Sequence, residues 1–87
     1  MSALNIQTAA RNVVRNTVNL RLESDVTISD MAAATKLSES TIRRIEKFSR
    51  LGALAGNYRP QLSTLVKLAN AADVTPQDFI TQELTVV

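Results

Sequence analysis

The chain has 87 residues, 45% apolar but only 3% aromatic, so its core must be built from Leu, Ile, Val and Ala, a palette that favours small packed helices. Cysteine and histidine are both absent, which removes disulfides, thiolate metal sites and the commonest general base and metal ligand. With a net charge of +2, no apolar run near the ~18 residues of a membrane span and no signal peptide, the composition points to a soluble, cytoplasmic, cofactor-free and metal-free single domain over 1–87, with nothing in favour of an enzyme.

The first five residues read as a loose end. Ile6, Ala10, Val13, Thr17 and Leu20 then recur at helical spacing and predict a helix over roughly 7–22, with Arg11 and Arg15 on its solvent side. A strand-like alternation over Val18–Leu22 competes with it, but no second strand exists to pair with. Thr27 or Ser29 can cap a second short helix through Met31–Ala34, and Leu37 should plug the angle before a third. Ser38 is a natural cap for that third helix, bonding the amide of Ser40 or Thr41.

Wound at 100° per residue, the third helix puts Ile42, Ile45 and Glu46 on one face and Ser40, Arg44 and Lys47 opposite, with Arg43 on the flank. The two-helix unit spans about 28–48. Residues 49–59 lack periodicity and read as a long loop, although Arg50–Ala55 can prolong the helix by a turn. Tyr58 is expected half-packed with a solvated hydroxyl. Pro60 starts the next element, and Leu62, Leu65, Leu68, Ala69 and Ala72 mark a fourth helix. Thr75-Pro76-Gln77-Asp78 opens a fifth, with Phe79, Ile80 and Leu84 facing inward.

Charge is not spread evenly. Lys36 to Arg59 carries six bases against two acids, whereas 1–35 balances at three of each. A localised positive field of this kind suits a polyanion, with a chance excess on a solvated surface as the competing reading.

Met31-Ala32, Leu37-Ser38 and Ser40 to Glu46, followed by Pro60, Leu62, Leu65, Leu68-Ala69, Val74 and Phe79-Ile80, resemble the helix-turn-helix core and later helices of Cro/CI-type (XRE family) regulators over about 10–80. The resemblance implies an all-α, five-helix, lambda-repressor-like DNA-binding domain, with helices 2 and 3 as the helix-turn-helix and a long helix 3–4 loop. It also implies a phage, plasmid or chromosomal repressor that binds a palindromic operator in double-stranded DNA as a homodimer. Arg21 stands where this family carries an arginine that pairs with the glutamate matched by Glu46, whose inward carboxylate needs a partner.

Carried over by position, the base-contacting residues are Glu39, Ser40, Arg43 and Arg44, with Arg44 suited to a bidentate guanine contact. Glu39 stands equally well as a helix-stabilising acid. Ser38, Thr41, Lys47 and Arg50, with Asn57 and Arg59 in the loop, read as phosphate contacts. Two features depart from the family: Lys36 replaces the usual glycine of the turn, and 13 residues separate Glu46 from Pro60, more than is usual. The dimer surface is expected at Leu51–Ala55 or at the fifth helix and tail 81–87. The alternative function is an antitoxin-type protein that binds a toxin partner, or a co-regulator, and autoregulates its operon.

Overall fold

Residues Ile6–Ser24 form α1 in the computed structural model, which describes residues 5–81. The helix outruns the expected 7–22 at both ends. Asn5, expected in a loose end, is instead its cap, its side-chain oxygen accepting from the amides of Gln7 and Thr8 at 2.7 and 3.4 Å. At the other end Asp25 turns left-handed at φ 54°, its amide returning to the carbonyls of Arg21 and Leu22. The alternating stretch Val18–Leu22 is therefore helical. The buried stripe starts with Ala10, Val13 and Val14, one turn later than the spacing suggested, because Ile6 is 66% exposed.

The asparagines that weaken helix propensity in this segment have a tertiary role. Asn12 and Asn16 are buried and donate to the backbone carbonyls of Ile80 and Phe79, each at 2.9 Å. They tie α1 to the backbone of the last described helix.

Thr27, one of the two candidate caps, opens α2 (Ile28–Thr35) with a capping box: its hydroxyl accepts from Asp30 N while Asp30 Oδ2 accepts from Thr27 N. Met31, Ala32 and Thr35 face inward, and Leu37 packs against the core as expected. The turn is made by Lys36 at φ 63°, the left-handed conformation that the family's glycine would adopt without strain. Ser38 then caps α3 (Glu39–Ser49), accepting from Thr41 N at 3.1 Å.

The stretch after α3, expected as a loop or as one more turn of helix, is neither. Gly52, at φ 60°, breaks the α-helical path, and Gly52–Asn57 forms a 3₁₀ segment that lies against α1. Gly56 is buried where any Cβ would come within 3.1 Å of Gln7 Cβ, so glycine permits this close approach. Tyr58, expected half-packed, is only 5% exposed and tilts its ring onto Phe48 at 5.3 Å.

α4 covers Leu62–Ala71 and starts after Gln61 rather than at Pro60. Leu62, counted with the inward stripe, is 73% exposed, since it lies in the first turn before α4 reaches the core. Leu68 and Ala69 are fully buried. α5 (Pro76–Thr81) begins as expected, Thr75 Oγ1 accepting from Asp78 N at 3.1 Å, and places Phe79 at the centre of the core. Leu84 and the tail beyond Thr81 lie outside the described residues. Among the described residues no strand occurs, no helix is long and apolar enough to cross a membrane, and no group of acidic residues is placed to hold a metal ion.

Candidate nucleic-acid interface

α3 divides cleanly into two sides. Ile42, Ile45 and Glu46 are buried, while Glu39, Ser40, Arg43, Arg44, Lys47 and Arg50 are all exposed. At 100° per residue these six occupy one continuous arc, with Ser40 and Lys47 near its middle, Arg44 at one border and Glu39 at the other. Four of the six are cationic and one is acidic. The apolar underside holds the helix on the core and leaves the arc available to a partner.

The angle of α3 is set by Glu46. Its carboxylate is taken in a fork by Arg21 of α1, which donates from Nε to Oε2 and from Nη2 to Oε1, the latter at 2.8 Å. Arg21 also donates from Nη1 to the Val26 carbonyl at 3.2 Å, so one guanidinium joins α1, α3 and the α1–α2 turn. Hydrogen bonding to Glu46 raises the guanidinium's pKa against the opposing effect of burial. The two charged groups therefore serve each other, with all three guanidinium nitrogens of Arg21 engaged within the fold.

On the arc, Arg43 Nη2 donates to Glu39 Oε1 at 3.0 Å, an exposed i,i+4 pair. Such a pair contributes at most about 0.5 kcal/mol. A bidentate base contact is worth about 1–3 kcal/mol, so the pair yields to a competing ligand. Ser38 and Thr41, by contrast, are engaged with each other: their hydroxyls lie 2.9 Å apart while Ser38 caps the helix.

The Arg44 border continues into the segment before α4. Phe48, one turn on from Arg44, carries Tyr58, and the Arg44 guanidinium is close enough to pull the Tyr58 phenol down while burial, the larger effect, pushes it up. This contact brings exposed Asn57 and Arg59 beside α3. Arg59 Nη1 donates to the carbonyls of Gly56 and Tyr58 at 2.6 and 2.9 Å, so part of its bonding braces its own turn. Sequence reasoning missed the Phe48–Tyr58 contact, because nothing local joins the two rings. A lone tyrosine ahead of a proline was the available signal.

An amphipathic helix with a basic outer arc, set by a capped turn and a buried ion pair, is the arrangement of a helix-turn-helix. A family model described as the Cro/C1-type HTH DNA-binding domain matches residues 19–83. The chain belongs to this family. The Cro/C1-type match covers the last turn and a half of α1 and all of α2 to α5, and leaves the part of α1 that receives Gly56 outside it. No curated protein and no solved structure matches the chain. As a Cro/C1-type domain the chain is a DNA-binding transcriptional regulator, and α2 and α3 are its helix-turn-helix.

Proposed function

We propose that this protein is a repressor that binds a palindromic operator as a homodimer, with α3 in the major groove. The observation that carries this reading is the uninterrupted exposed arc of α3, with Ser40 at its centre and Arg43, Arg44 and Lys47 around it. Ser40 is small enough to let the helix backbone approach the base edges, and Arg44 offers a fork to guanine O6 and N7. Glu39 and Arg43 read neighbouring bases once their mutual pair opens. Lys47, Arg50, Asn57 and Arg59 neutralise phosphates along the groove, and Ser38 and Thr41 add hydroxyl contacts at the start of α3.

A dimer is required because one domain of this size covers one half-site. Leu51 and Leu54, 42% and 55% exposed on the segment beyond α3, offer an apolar seam beside the reading helix. The same two leucines favour the second reading, an antitoxin-type protein whose apolar face covers a protein partner such as a toxin and whose DNA binding is autoregulatory. A titration of the chain against DNA from upstream of its own gene, compared with unrelated DNA at several salt concentrations, tests the first. Tighter binding of one upstream sequence supports the operator reading. Equal affinity for every sequence overturns it. Loss of a bound protein partner on Leu54→Ser, with the concentration dependence of DNA binding retained, would favour the second.

A further inference from the structure

Three helices of the described residues are followed by a non-glycine residue in the left-handed region: Asp25 after α1, Lys36 after α2 and Asp73 after α4. Aspartate enters that region at reduced cost, because its short carboxylate can hydrogen-bond locally. Lysine lacks that local hydrogen bond and holds φ 63° against steric strain, offset only by the modest attraction of its charge to the C-terminal end of α2. The two aspartates stand at exits that lead to α2 and α5. The lysine stands at the exit that leads to α3, two residues before the Ser38 cap, and it is exposed. An aspartate at this exit would set a negative charge beside the basic arc; a glycine would set none.

We infer that Lys36 is a phosphate anchor. Its ammonium, carried on the turn, neutralises one DNA phosphate at the edge of the groove that α3 enters, and the strained conformation is retained because it places a cation there. The assignment rests on the reading of α3 as the groove helix, and it adds to that reading a residue whose two effects have opposite signs. In the protein alone the lysine is a cost, since glycine would take this conformation without strain. On DNA it is a gain, through charge.

The test is a salt-dependent titration of the full chain on random-sequence duplex DNA and on upstream DNA, beside thermal melts of the protein alone. Lys36→Gln keeps the side-chain strain and removes the charge. It should weaken binding several-fold at low salt, equally on both DNAs, and reduce the salt slope by about one. Lys36→Arg should retain both affinity and slope. Lys36→Gly should bind as weakly as Lys36→Gln while melting at a higher temperature than the parent. Unchanged affinity and slope for Lys36→Gln, with the parent binding DNA, overturns the assignment of Lys36 and leaves the groove reading intact. A parent chain with no salt-dependent DNA binding overturns both.

Discussion

Tyr58 is the only tyrosine and the chain has no tryptophan, so phenolate absorbance reports this residue alone. Burial holds its pKa above the usual value of about 10, with Arg44 opposing. The unfolded chain therefore loses this proton first. Tyr58 contributes its full stability below about pH 10, and that contribution is lost as pH rises through the folded pKa. A spectrophotometric titration should give a midpoint above 10 in the folded protein and near 10 in denaturant. Arg44→Ala removes the nearby cation and should move the folded midpoint further up. An unchanged midpoint would mean that the Arg44 charge is not felt at Tyr58. In DNA binding, the same Arg44→Ala should cost about 1–3 kcal/mol on the operator and relax one base position, whereas Lys47→Ala should weaken all sequences alike. The two substitutions thus separate base reading from charge within a single arc.

Single pairs also decide how elements meet. Glu46 is 6% exposed, so Arg21→Ala would leave its carboxylate without the fork that compensates burial. The expected loss is on the order of 3 kcal/mol, seen in a denaturant midpoint, and the double change Arg21→Met with Glu46→Leu should recover most of it. Asn16→Ala would remove a buried hydrogen bond to the Phe79 carbonyl and loosen α5 from α1. That change should cost about 1–3 kcal/mol and raise amide exchange in α5 before the rest of the molecule. The 3₁₀ segment depends on a close approach. A valine in place of Gly56 meets Gln7 and Arg11 and should push the segment off α1, at about 1–3 kcal/mol.

For the whole molecule, the packing of residues 52–57 on α1 has a consequence for assembly. The long connection is folded against the core, and its outward side chains, Leu51 and Leu54, are thereby held at fixed positions beyond the C-terminal end of α3. If they form the seam of the proposed dimer, Leu54→Ser should weaken self-association in sedimentation. It should reduce affinity for a full operator far more than for a half-site. Equal losses on both would place the seam elsewhere.

Much of this protein was legible from local chemistry. The caps at Thr27, Ser38 and Thr75 are short-range hydrogen-bonding patterns, and the two faces of α3 follow from helical periodicity, so the order and type of the five helices were present in the chain. The left-handed strain at Lys36 was likewise implied by a lysine standing where a glycine is usual. Only the tertiary structure decided what non-local contacts settle. Asn12 and Asn16 look like poor helix formers until α5 supplies the carbonyls they bind. Residues 49–59 look like loop because a 3₁₀ segment has no period of its own strong enough to read, and its glycines signal flexibility until one of them meets α1. Tyr58 is buried with its ring on Phe48, and a ring's surroundings are set by chain segments that its own neighbours do not specify.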